Sequence, residues 1–171
     1  MGSLQALRRC GVKRPICERC LQRSLVGGVK CHAMKLDQKL VDAAIEQAID
    51  RFPRGYSGAA AIYTEDGRIF TSVCFDTHND NANLCHEAGA YCEANRLNLK
   101  VTASVCVSRK TPNDPFLILT PCGICQERLA KWGLYVEVAV PCLDSPTNWE
   151  VKTLGEVQPY YWGNVIDEID T

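Results

Sequence analysis

No apolar run in these 171 residues approaches the roughly eighteen needed to cross a membrane, so a soluble protein is expected. No segment repeats at a fixed period, which excludes solenoids and propellers. The first twenty residues hold no apolar h-region, so no secretory signal is read there. Net charge is nearly absent, at −1. With 46% apolar and 23% charged residues, the composition excludes a disordered chain, a collagen-like repeat and a coiled coil. It allows one domain with a real core.

The small net charge conceals an asymmetry. Residues 1–35 carry eight basic side chains (Arg8, Arg9, Lys13, Arg14, Arg19, Arg23, Lys30 and Lys35) against one acid, Glu18. The remaining chain has eleven basic and nineteen acidic residues. An acidic body argues against a nucleic-acid partner, because such binding rests on neutralising phosphates. The division expected is a basic, cysteine-containing arm over 1–35 and one catalytic domain over 36–171.

Cysteine is abundant, with eleven residues, an odd number. Without a visible secretory signal, a reducing compartment is expected, the cytoplasm, and the cysteines read as thiols and metal ligands. Cys17-x-x-Cys20 in the arm could anchor a second zinc with Cys31 or His32, and Cys10 lies nearby, but the spacing is irregular. Cys92, Cys106 and Cys142 read as small packing residues.

Apolar residues at helical spacing predict a helix over 36–52, with Asp37 at its start and Pro53 and Gly55 at its end. Strands are expected at 58–63 and 68–75, joined by the Asp66-Gly67 turn. A helix over 85–98, strands at 101–108 and 116–119, a helix over 122–132 and a strand at 135–140 follow. A short helical piece is expected near 154–157. This order predicts an α/β fold: a mixed sheet of about five strands between helices.

Two segments carry chemistry. Cys85-His86-Glu87 and Pro121-Cys122-Gly123-Ile124-Cys125 each stand at the start of a predicted helix. Helix N-termini stabilise thiolates through unpaired N–H groups and the positive dipole end. Three protein ligands on Zn²⁺ leave a fourth position open, the mark of a catalytic site. Such a site activates water, and Glu87 could take its proton and pass it to a leaving nitrogen. His86 lies about 100° round the helix from Cys85 and reads as packing. This is the scheme of zinc nucleobase deaminases, whose signature pairs His/Cys-x-Glu with Pro-Cys-x-x-Cys.

On these motifs the chain resembles the cytidine deaminase superfamily over about residues 36–163, in particular the small cytidine and blasticidin S deaminases. Tyr56-Ser57-Gly58-Ala59-Ala60, Asp66-Gly67-Arg68-Ile69-Phe70-Thr71 and a closing Leu154-Gly155-Glu156-Val157-Gln158-Pro159 add to the likeness. The resemblance implies a three-layer α/β/α sandwich, zinc on Cys85, Cys122 and Cys125, and Glu87 as proton shuttle. It implies a homotetramer acting on the cytosine ring of a free nucleoside. Cys74 and Asp76 occupy the positions of the family's ribose-holding Asn-x-Glu. Tyr56 falls near its ring-packing Phe, and Tyr161-Trp162 resembles the aromatic end of blasticidin S deaminases. The loss of the amide at Cys74 points away from plain cytidine, toward a modified or bulkier cytosine nucleoside. Three other readings stay open at this level: the same chemistry on a nucleotide, a free base or single-stranded nucleic acid; a non-catalytic zinc-stabilised domain; and a redox protein built on Cys122 and Cys125.

Overall fold

The computed structural model describes residues 7–9 and 36–165. Seven strands form one mixed sheet: β1 (Arg8–Arg9), β2 (Ser57–Thr64), β3 (Ile69–Ser72), β4 (Val101–Arg109), β5 (Leu117–Leu119), β6 (Glu137–Cys142) and β7 (Ser145–Thr153). The helices are α1 (Gln38–Arg51), α2 (Ala88–Arg96), α3 (Gly123–Ala130) and the short α4 (Leu154–Val157). The strand order is β1-β7-β6-β4-β2-β3, with β5 paired to β4. β4 runs parallel to β6 and β1 parallel to β7, while the remaining pairs are antiparallel.

The sheet has two packed faces. On one, α1 lays Leu40, Val41, Ala44 and Ala48 against Ala59, Ala61, Val105 and Val107. On the other, Ala90, Tyr91 and Ala94 of α2 and Cys125 and Leu129 of α3 cover Ile62, Val138 and Val140. This is the three-layer α/β/α sandwich. Every residue of β2 is buried, and its Gly58 and Ala59–Ala61 let helices close in on both faces.

Asp37 caps α1, its Oδ1 accepting from the Leu40 N–H at 3.1 Å and from the Tyr63 hydroxyl at 3.1 Å. The expected strand over 68–75 is shorter, because the chain leaves the sheet after Ser72 and Phe75 bridges to Leu84 instead. The expected five strands are seven. β7 escapes a reading from sequence because Asp144-Ser145-Pro146-Thr147-Asn148 is turn chemistry. Only Trp149 and Val151 carry its inward alternation. β1 lies in the basic arm, where Leu7 is buried and Arg8–Arg9 pair with Asn148–Trp149.

Candidate active site

The segment before α2 and the start of α3 meet on the face opposite α1, where Cys85 packs beside Cys125, Ala90 and Tyr91. Cys85 and Glu87 stand just ahead of the helix rather than inside it. The Ala88 N–H donates to the Cys85 carbonyl at 3.0 Å, and the Tyr91 N–H to the Glu87 carbonyl at 3.2 Å. Gly89 permits this seating, since a Cβ there would stand 3.0 Å from the Ser72 Cβ. Cys122 is the N-cap of α3, and Gln126 Nε2 fixes the turn by donating to the Pro121 carbonyl at 2.7 Å.

The Cys85, Cys122 and Cys125 sulfurs lie within 4.8 Å of one another, with Cys85 to Cys122 at 3.5 Å. Four-coordinate zinc with Zn–S of about 2.3 Å separates its sulfurs by about 3.8 Å. The donor set therefore suits a thiophilic divalent ion in size and in softness. Burial pushes the Cys85 thiol up, with the Cys122 sulfur adding to it. Burial also drives Cys125 far up, reinforced by the charges of Glu87, Cys122 and Cys85. Cys122 goes the other way: burial works to raise it, but the Cys125 backbone N–H and the Cys85 thiol outweigh that. Three crowded sulfurs that resist ionising together are a cluster which a cation would relieve.

Glu87 is 4% exposed. Its carboxylate has no hydrogen-bond partner among the described residues. A carboxylate with no hydrogen bond of its own, beside three thiols, is free to engage a ligand. Burial, and then the Glu87 charge, raise the Tyr91 hydroxyl, which pairs with Ser104 Oγ at 2.9 Å. The same two causes raise the buried Cys106 thiol.

The other residues singled out from sequence fall into two groups. Cys74 Sγ donates to Asp76 Oδ2 at 3.3 Å, and burial, then Asp76, push Cys74 to about 11. Tyr56 Oη lies 3.3 Å from His86 Nε2. Burial lowers the His86 imidazole, against the charges of Glu87 and Asp76. Tyr161 and Trp162 are both held by Glu127, two residues beyond Cys125. Tyr161 Oη donates to Oε1 at 3.1 Å and Trp162 Nε1 to Oε2 at 3.2 Å. Sequence reasoning missed Glu127, because nothing in a helical Gln-Glu-Arg announces a contact 35 residues away. It also expected Cys92 to pack, whereas Cys92 is exposed. Cys142, buried at the end of β6, is disulfide-bonded rather than a packing thiol. The arm cysteines Cys10, Cys17, Cys20 and Cys31, with His32, lie outside the described residues.

No family profile matches the chain, and no curated protein does either. Solved structures do. The cytidine deaminase of Bacillus anthracis aligns at a TM-score of 0.71 with 40% identity, over 75% of this chain and 91% of that one. The cytidine deaminase of Mycobacterium leprae aligns at 0.57 with 21% identity, over 73% and 99%. The cytidine deaminase of Burkholderia pseudomallei aligns at 0.55 with 19% identity, over 72% and 96%. The last two share the fold alone. An α/β/α sandwich of this topology, with three thiols and a buried carboxylate at two helix starts, defines a hydrolase of the deaminase class. At 40% identity over most of both chains, the protein belongs to the cytidine deaminase family.

Proposed function

We propose that the protein hydrolytically deaminates the cytosine ring of a free nucleoside, cytidine-like or modified as in blasticidin S, to the uracil form with release of ammonia. The buried, unpartnered Glu87 carboxylate beside three convergent thiols carries this reading. Cys85, Cys122 and Cys125 would hold Zn²⁺, with thiolates stabilised by the first turn of α3. When bound, the metal supplies an activated water for attack on the ring carbon that bears the amine. Glu87 takes one proton from that water and delivers it to the ring nitrogen, then takes the second from the hydroxyl left on the ring carbon and delivers it to the departing amine, which leaves the carbonyl. The balance is one water consumed, one C–N bond broken, one carbonyl formed and one ammonia released. Asp76, Cys74 and Tyr56 would meet the sugar side, and Tyr161 and Trp162, held on α3 by Glu127, would close the other.

A homotetramer with sites near its interfaces is part of this proposal. Phe75, Leu84 and Ile124 support it: each sits next to Asp76, Cys85 or Cys125 in the chain, and each exposes its apolar side chain. A cytoplasmic location goes with this reading, because Cys85, Cys122 and Cys125 as ligands must stay reduced, while the disulfide-bonded Cys142 weighs against it.

The test is a panel of cytidine, deoxycytidine, their monophosphates, cytosine and blasticidin S on metal-loaded protein, with Glu87→Gln as control. One zinc per chain is expected, and turnover reduced about a thousandfold by Glu87→Gln with zinc retained. Turnover that survives the substitution would remove Glu87 from the chemistry. Silence on every cytosine compound from zinc-loaded protein would remove the substrate assignment.

A further inference from the structure

Neither metal binding nor proton transfer uses the polar pair formed by His86 and Tyr56. His86 sits between ligand Cys85 and Glu87, and three contacts fix it. Its Nε2 lies 3.3 Å from Tyr56 Oη, with the two rings tilted at a centroid distance of 6.1 Å. Its ring lies against Gly58 of β2, where a Cβ would stand 2.5 Å from Nε2. Its backbone carbonyl accepts a hydrogen bond from Ser72 Oγ of β3. Nδ1, by contrast, has no hydrogen-bond partner among the described residues. An imidazole clamped through one nitrogen presents the other.

Charged and polar groups act on the imidazole. His86 lies within the electrostatic reach of both Glu87 and Asp76, and Tyr56 within that of Asp76 and Cys74. Cys74 and Asp76 are themselves hydrogen-bonded. Near His86 there are thus a phenol, a carboxylate and the thiol bonded to that carboxylate. A cytosine placed with its amine at Glu87 has nothing beyond its ring to engage them. A hydroxyl-bearing substituent on the ring does.

We propose that His86 is a specificity-determining residue of the deamination site: its Nδ1 hydrogen-bonds a hydroxyl of the sugar and so favours a cytosine nucleoside over a cytosine without one. The assignment rests on the functional reading above and adds to it the residue that senses the substituent. That bond is the share of His86 in distinguishing a nucleoside from a cytosine carrying a bare alkyl group at the same ring nitrogen, worth about five- to tenfold in relative kcat/KM.

The test compares cytidine with 1-methylcytosine in turnover, and uridine with 1-methyluracil in equilibrium binding, on wild-type, His86→Ala, His86→Asn and His86→Gln proteins. Zinc content and melting temperature are measured on each. The amide nitrogen of Asn takes the place of Nδ1, and that of Gln the place of Nε2. His86→Ala should lower the preference for cytidine and for uridine about five- to tenfold with zinc retained. His86→Asn should keep most of it, and His86→Gln should not. An unchanged preference in His86→Ala overturns the assignment. So does rescue by Gln and not by Asn, which would make His86 only the anchor of Tyr56. If His86→Ala does not fold, the Asn and Gln pair decides alone. A wild-type protein silent on every cytosine compound removes the functional reading, and this assignment with it. A wild-type protein that turns over cytidine, with variants that keep its preference unchanged, removes this assignment only.

Discussion

Gly58 carries no side chain because His86 occupies the space one would need. A Cβ there would stand 2.5 Å from His86 Nε2 and 3.0 Å from Tyr56 Oη. In an open strand position, alanine would be preferred to glycine for its lower entropy cost. Here Gly58→Ala should do the reverse. It should push the imidazole off Tyr56, destabilise the protein by about 1–3 kcal/mol from overpacking, and reproduce the substrate preference of His86→Ala. Urea unfolding read alongside the cytidine to 1-methylcytosine ratio checks this, and a Gly58→Ala protein as stable and as selective as wild type sinks it. Cys85, Glu87, Cys122 and Cys125 were legible in sequence because the spacing that makes the chemistry is local, two or three residues along one turn. His86 and Gly58 were not. Their meaning depends on β2 running beneath the turn at 85–89, and that register is a property of the sheet.

At the scale of elements, the start of α1 shows how a cap can be tied into the sheet. Asp37 accepts from the Leu40 N–H and from the hydroxyl of Tyr63 on β2. Burial, then the hydrogen bond and charge of Asp37, hold the Tyr63 hydroxyl up at about 12. An unfolded tyrosine titrates near about 10. The folded state therefore holds the Tyr63 proton more tightly, so the stability this contributes is fully present below about pH 10. It is lost as pH rises through about 12. Urea midpoints taken from about pH 8 to about pH 12 should fall more steeply above about pH 10 for wild type than for Tyr63→Phe. Parallel curves would show that Tyr63 does not titrate through this contact. Asp37→Ala should cost about 1–2 kcal/mol through the lost cap, and more with the Tyr63 bond broken. The helix itself was plain in sequence, since five apolar residues recur at steps of four from Leu36 to Phe52 and Asp37 is a common cap residue. β7 was not. Its first half reads as a turn, and what makes it a strand is the partner: β6 offers a free edge, and Trp149 fills the core once paired to it.

For the whole molecule, the sharpest question is whether the basic arm belongs to the sheet. Its charge marks it off in sequence, eight basic residues against one acid, but charge is not what joins it. Arg8 and Arg9 pair through their backbones with Asn148 and Trp149 in parallel, a contact no side-chain pattern announces. Leu7 beside them is 2% exposed, and the Arg9 guanidinium lies 5.7 Å from the Trp149 ring centroid. Burying a leucine contributes about 2 kcal/mol and a cation over an aromatic face about 0.5–1 kcal/mol. Without the segment, β7 also loses its cover at Asn148 and Trp149, which lengthens an open edge, the usual starting point for strand-to-strand aggregation. Removal of residues 1–9 should therefore lower stability by about 3 kcal/mol, a fall in melting temperature of about 6–12 °C for a chain of this size. It should also raise light scattering on heating. Leu7→Ala alone should account for most of the loss in stability while leaving scattering near that of the full chain, because the backbone pairing survives it. Calorimetry and scattering on the three proteins separate the terms. If the shortened chain melts with the full one, β7 is a true edge and the arm lies apart from the fold. If it melts early but does not scatter, the segment acts through the core contact of Leu7 and not by covering the edge.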